Sequence, residues 1–248
     1  ANGIMMNKPI VTQDNTWLFP CAIWRDESGS VPAERHGLEN EQFSNVYAST
    51  DEGKTIVLRG HADVPMRSFD EHMIVQKKDG TLWMLVRTFD GLGESFSSDG
   101  GFTWTPGHKS HIDNPCSRFF IRRLKSGRLL MINHYNFDQR IDLDDIMHQG
   151  NVKRWKGRSH LTAMLSEDDG ETWPYTLLLD ERDEVSYPDA KEADDGFIYV
   201  CYDHARVTER EILMARFTEE EILNGKLSNP ESKLRVLVNK ALGQPDVE

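Results

Sequence analysis

The sequence predicts an all-β chain, a β-propeller of four-stranded antiparallel blades, and three observations carry that expectation. A template, Ser-x-Asp-x-Gly-x-Thr-Trp, runs from Ser97 to Trp104 and again from Ser166 to Trp173, with a weaker copy from Ser49 to Ile56. A second signal, a polar pair flanked by apolar alternation, precedes each template and reads as a hairpin. The two signals alternate along the chain, so one repeat is strand, hairpin turn, strand, loop, strand, Asp-containing turn, strand. Four-stranded units at such spacing are what propeller blades look like.

The template has a physical logic. Ser and Asp side chains bond nearby backbone N–H groups and Gly permits a positive φ, which together close a tight turn. Thr and Trp then begin a strand, with the indole placed to pack beneath the turn.

In chain order, Asp14-Asn15 precedes Trp17-Leu18-Phe19, and Asp79-Gly80 separates Met73-Ile74-Val75 from the run Leu82 to Val86. Ser126-Gly127 separates Phe119-Phe120-Ile121 from the run Leu129 to Ile132, and Asp195-Gly196 precedes the run Phe197 to Val200. Four units therefore start near Met6, Glu71, Arg118 and Tyr187, covering about 6–60, 71–106, 118–180 and 187–217. The fourth lacks its Asp-containing turn. Glu211 to Phe217 supplies a strand, then Thr218 to Glu221 reads as a capping box opening a short helix that Gly225 ends, before a tail to 248. The expectation is a single domain over 1–248. The insert from Asn136 to Gly157 has no clear period and reads as an extended loop, as suited to a site wall as to decoration.

Composition narrows the function classes. With 29 Lys+Arg against 41 Asp+Glu the net charge is −12, which argues against unspecific binding to nucleic acid or anionic membranes. A local cationic pocket for an anionic ligand stays open. No apolar run reaches membrane-span length and no basic-plus-apolar leader is present. The chain begins at Ala1, close to a strand-like segment, so a processed or truncated N-terminus is expected. Cys21, Cys116 and Cys201 are too widely spaced for a disulfide framework or a zinc motif, and are expected to be buried thiols. Asp142, Asp144, Asp145 and His148 fit no standard metal spacing and read as an acidic solvated loop.

The repeat also places side chains. Counting back eight from the first turn residue of units two, three and four leads to Glu71, Arg118 and Tyr187. Counting forward eight from Asp79 reaches Arg87, and back eight from Ser166 reaches Arg158. All five fall at strand ends opposite the turns. The set pairs a carboxylate and a phenol with three guanidinium groups, whose planar donor forks suit a carboxylate ligand. Taken singly, each residue has an ordinary reading: a solvated strand-end Arg, a half-buried packing Tyr, a surface Glu. Their common repeat position is what ordinary readings leave unexplained.

These residues resemble the sialidase (neuraminidase) superfamily of BNR, or Asp-box, propellers, over nearly the whole chain. The segment from Glu71 through Asp79-Gly80 and Leu82 to Arg87 matches, as does Arg158 to Thr162 leading into Ser166 to Trp173. Ser186 to Asp189, followed by Asp195 to Asp203, is similar to the segment that carries the family's catalytic Tyr. The resemblance implies a sialidase-like exo-glycosidase that hydrolyses a terminal acidic sugar. Tyr187 would be the nucleophile, Glu71 its base, and Arg87 and Arg158 a clamp on the substrate carboxylate; Arg118 joins them by repeat position. No cofactor or metal is implied, the partner is a glycan, and location is secreted or periplasmic.

Three departures shape this expectation. The family's first clamp Arg and its acid/base Asp lie early in the fold, and this chain is expected to enter after them. Six blades are usual there against four units here. Tyr187-Pro188-Asp189 also differs from the small residues that commonly follow the family's Tyr. The alternatives are a glycan-processing propeller of other specificity, hydrolase or lyase, and a carbohydrate-binding propeller without catalysis.

Overall fold

The computed structural model describes residues 2–24, 37–137 and 157–242. Within them sixteen strands form four four-stranded antiparallel sheets, each an up-and-down meander in chain order. The chain divides into two compact units between Cys116 and Ser117, and each unit carries two of the sheets.

In the first unit, β1 (Ile10–Val11), β2 (Trp17–Cys21), β3 (Ser44–Ser49) and β4 (Val57–Ala62) form one sheet. The other comprises β5 (Met73–Gln76), β6 (Leu82–Arg87), β7 (Leu92–Ser97) and β8 (His108–Lys109). Leu18, Val46, Ala48 and Ala62 from one sheet pack with Ile74, Leu82, Met84 and Val86 from the other, with Val64 between them in sequence. Packing is tight at β4: a Cβ on Gly60 would stand 2.4 Å from the Gly101 carbonyl oxygen, so only glycine lets strand and turn meet.

In the second unit, β9 (Phe120–Arg123), β10 (Leu129–His134), β11 (Leu161–Ser166) and β12 (Tyr175–Asp180) form a sheet. The last comprises β13 (Val185–Glu192), β14 (Phe197–His204), β15 (Glu211–Thr218) and β16 (Lys233–Lys240). The inner strands β10 and β11 are buried on both faces along their whole length, which is why their sequences read as largely apolar runs.

Both predicted turn types form. Gly80, Gly127 and Gly196 all take positive φ, 92°, 88° and 82°, in the hairpins of three sheets. In the Asp-box turn of β7, Ser97 Oγ donates to Asp99 Oδ1 at 2.8 Å and accepts from Gly101 N at 2.9 Å, while Thr103 Oγ1 donates to Asp99 Oδ2 at 2.6 Å. Ser166, Asp168, Gly170 and Thr172 repeat the pattern, and so does the weaker copy at Ser49, Asp51, Gly53 and Thr55. Bonds from the Thr hydroxyl and N–H hold the Asp168 carboxyl down at about 2; those from the Thr55 N–H and hydroxyl do the same for Asp51.

The predicted helix α1 (Glu219–Asn224) opens with a full capping box between Thr218 and Glu221 and ends on Gly225 at φ 66°. Burial would raise the Glu221 carboxyl, but donors from Ser232, Asn229, Ser228 and Thr218 win and hold it at about 2. No described helix is long and apolar enough to cross a membrane.

One expectation is corrected. Cys21 and Cys116 are buried, but Cys201 is exposed, because β14 alternates and Cys201 falls outward between buried Val200 and Tyr202. The predicted loop from Asn136 to Gly157, with Asp142, Asp144, Asp145 and His148, lies almost wholly outside the described residues.

Candidate functional site

Of the five predicted site residues, Glu71 and Arg87 belong to the first unit, and Arg118, Arg158 and Tyr187 to the second. The three arginines are not solvated strand ends. Arg87 is 1% exposed, Arg158 3% and Arg118 6%, and Glu71 is equally withdrawn at 3%. Buried charges must be matched, so each one points to a built local environment.

In the first unit the backbone itself presents the carboxylate. Phe69, Asp70 and Glu71 take positive φ in succession, 58°, 57° and 40°. Glu71 N–H bonds back to the Phe69 carbonyl at 2.7 Å, a three-residue turn that is strained for side-chain-bearing residues. Surrounding bonds hold it in place. Arg87 N–H donates to the Asp70 carbonyl at 3.0 Å, Ser68 N–H to the Arg87 carbonyl at 3.1 Å, and Asn7 Nδ2 to the Glu71 carbonyl at 2.6 Å. Ser44 Oγ and Arg67 Nη1 fix the Asp70 side chain. So held, Glu71 Oε2 accepts from Arg87 Nη1 at 2.7 Å, with the Arg87 guanidinium also 5.1 Å from the Phe69 ring centre and Nη2 3.6 Å from Cys116 Sγ.

In the second unit a bulge presents the phenol. The β13–β14 register shifts between Ser186 and Asp189, so Tyr187 and Pro188 together oppose one residue of β14. Tyr187 takes φ 56°, outside the range of a regular strand, and its side chain is half-buried. Bulges re-aim a side chain in this way. Arg118 Nη1 donates to the Pro188 carbonyl at 2.9 Å and the Tyr187 carbonyl at 3.4 Å, while Nη2 stands 3.8 Å from Asp189 Oδ1. The Arg158 guanidinium is 5.8 Å from the Tyr187 ring centre, and the Arg158 carbonyl accepts Val185 N–H at 3.1 Å. Arg118, Arg158 and Tyr187 are therefore brought together around one bulge.

Three neighbours escaped the sequence reading. Arg206 lies closer to the Tyr187 ring than Arg158 does, at 4.4 Å, and bonds Ser186 Oγ at 3.0 Å and Asp203 Oδ2 at 2.7 Å. Ser186 Oγ in turn donates to Asp203 Oδ1 at 2.6 Å. His134 is buried beside Arg158, its Nδ1–H donating to the Ser159 carbonyl at 2.8 Å. Burial, only partly offset by that bond and reinforced by the Arg158 charge, pushes the imidazole down to about 3, so it is neutral. The forward count of eight that found Arg87 also finds these two: from Ser126 it reaches His134, from Asp195 it reaches Asp203. Arg206 sits in an irregular turn and carries no repeat signal.

The second unit thus sets two guanidinium groups, of Arg158 and Arg206, against a phenol ring and a third, of Arg118, against its backbone, with two carboxylates, Asp189 and Asp203, at their margin. Such a set suits an oxygen-rich or anionic ligand. Among the described residues, no group of three or more His, Cys, Asp or Glu side chains is placed to hold a metal ion.

Comparisons with known proteins accord with this architecture. The family model of the BNR repeat-like domain matches residues 1–200. A Hadza microbial sialidase superposes with a TM-score of 0.55 at 21% identity, over 79% of this chain and 34% of that one. The intramolecular trans-sialidase from Ruminococcus gnavus gives 0.56 at 17% identity, over 90% of this chain and 44% of that one. The exo-beta-1,3-galactanase from Phanerochaete chrysosporium gives 0.55 at 8% identity, over 94% and 50%. This chain thus spans about a third to a half of those proteins. At such identities the shared property is the β-propeller fold. No protein of curated function matches the chain by sequence.

Proposed function

Since the chain belongs to the BNR repeat-like domain family, we propose that it is a glycan-processing propeller, and within that class a sialidase-like exo-glycosidase. The carrying observation is Tyr187: a half-buried phenol held at φ 56° in a bulge, with the Arg118 and Arg158 guanidinium groups at its backbone and ring. Fold neighbours that act on glycans, sialidases and a galactanase alike, support the broader class.

The chemistry follows from charge. A sialic acid bears a carboxylate beside its anomeric carbon, which repels an Asp or Glu nucleophile but tolerates a neutral phenol. Tyr187 Oη attacks the anomeric carbon as the bond to the leaving oxygen breaks. The phenolic proton passes to a base. The leaving oxygen takes a proton from a general acid that is none of the five predicted residues. Water then hydrolyses the tyrosyl intermediate, so the anomeric configuration is retained. Arg158 and Arg118, beside Tyr187, supply positive charge for the substrate carboxylate.

The test is turnover of a fluorogenic sialoside. The wild-type chain hydrolyses it; Tyr187→Phe does not, yet retains affinity for the sugar. Equal turnover by both proteins excludes Tyr187 as the nucleophile.

A second reading has its own observation. Asp189, which follows Pro188 after Tyr187, stands 3.8 Å from Arg118 and offsets part of the charge meant for an acidic sugar. That favours a glycan-processing site of other specificity. Cleavage of uronosides or neutral glycosides with the sialoside untouched establishes it, and glycan binding without any cleavage leaves a carbohydrate-binding propeller.

A further inference from the structure

We propose that Arg206 is a positioning residue for Tyr187, locking the phenol ring in the orientation from which it reacts; this rests on the reading of Tyr187 given above. The bulge creates the need. Tyr187 leaves the pleat of β13 at φ 56°, and with Pro188 it faces a single residue of β14, so its ring falls outside the regular alternation of the strand. Arg118 secures the backbone here, through the carbonyls of Tyr187 and Pro188. The ring itself is met by Arg158 at 5.8 Å and more closely by Arg206 at 4.4 Å.

Arg206 is anchored for this task. Its Nη2 is shared between Asp203 Oδ2 and Ser186 Oγ, and Ser186, 2% exposed, ties the second Asp203 oxygen. The guanidinium is therefore fixed to the residue next to Tyr187 in sequence and to the strand that faces it. A planar cation over an aromatic face restrains tilt and rotation as a compact ammonium does not. At 42% side-chain exposure Arg206 is also the most exposed of the three arginines.

The experiment uses the whole chain labelled with 13Cζ-tyrosine, which gives six resonances, one for each Tyr. Loss of one in Tyr187→Phe assigns Tyr187. Arg206→Met is expected to move and broaden the Tyr187 resonance alone, with Arg206→Lys giving the same change in smaller degree. The other five resonances report that each variant is folded; should Arg206→Met fail that check, Asp203→Asn loosens the anchor and is read the same way. A Tyr187 resonance unchanged in the folded variants overturns the proposal. On a fluorogenic sialoside, a positioning role lowers kcat on the order of tenfold to a hundredfold with KM nearly constant. A raised KM with kcat intact makes Arg206 a substrate clamp and overturns it as well. If the wild type cleaves no sialoside, the functional reading fails, while the resonances still decide whether Arg206 holds the ring.

Discussion

Arg87 Nη1 lies 2.7 Å from Glu71 Oε2, and the two side chains are 1% and 0% exposed. A pair this deep in the protein depends on each partner for its neutrality. Replacing Arg87 with Met leaves a buried carboxylate and is expected to cost about 3–5 kcal/mol. The double change Glu71→Leu, Arg87→Met recovers much of that loss. Urea denaturation midpoints measure both; a single variant as stable as wild type removes the structural role of the pair.

His134 sets an acid limb above the carboxylate range. Its imidazole is held at about 3 against an ordinary value of about 6.5, so the fold favours the neutral form. The unfolded chain takes up the proton first. Stability from this group is therefore complete above about 6.5 and is lost as pH falls toward 3. In His134→Asn, which keeps a donor for the Ser159 carbonyl, the decline in melting temperature between pH 6.5 and 4 becomes shallower. His72, also buried and shifted down by burial, sustains the remaining slope.

Thiol reactivity separates the three cysteines. Cys201 is exposed while Cys21 and Cys116 are buried, so one thiol per native chain reacts with an aromatic disulfide reagent and three react in guanidinium. Partial burial, then Asp189 and Asp203, raise the Cys201 thiol, which makes the native reaction slow at neutral pH and faster above it. Cys201→Ser abolishes the native reaction.

The short helix rests on its cap. Thr218 accepts the Glu221 N–H and Glu221 reaches back to Thr218 N–H. Thr218→Ala is expected to lower stability by about 1 kcal/mol, read as a shift in the chemical denaturation midpoint at constant slope.

Much of this was legible in the sequence because turns and strands are local. Ser, Asp, Gly and Thr within one template determine an Asp-box, and even the copy at Ser49, without its Trp, forms the full set of bonds. The repeat register singles out Glu71, Arg87, Arg118, Arg158 and Tyr187, and the ion pair between Glu71 and Arg87 is a finding of the structure. Their burial was hidden, because a strand-end Arg looks alike whether it meets water or a carboxylate. Arg206 was hidden for a different reason. It enters through a turn after β14 with no repeat spacing, and only the bulge at Tyr187 brings it against the ring. Cys201 misled because its identity suggests burial while the alternation of β14 decides otherwise.

Each Asp-box is shaped by bonds among residues only a few positions apart. A gene segment copied or moved therefore carries with it everything needed to close that end of a sheet, whatever sits beside it. The opposite ends of the sheets are held instead by bonds between residues far apart in sequence, as from Asn7 to Glu71 or from Arg118 to Pro188. Duplication of such a segment keeps the turn at one end of each sheet constant while residues at that sheet's other end diversify.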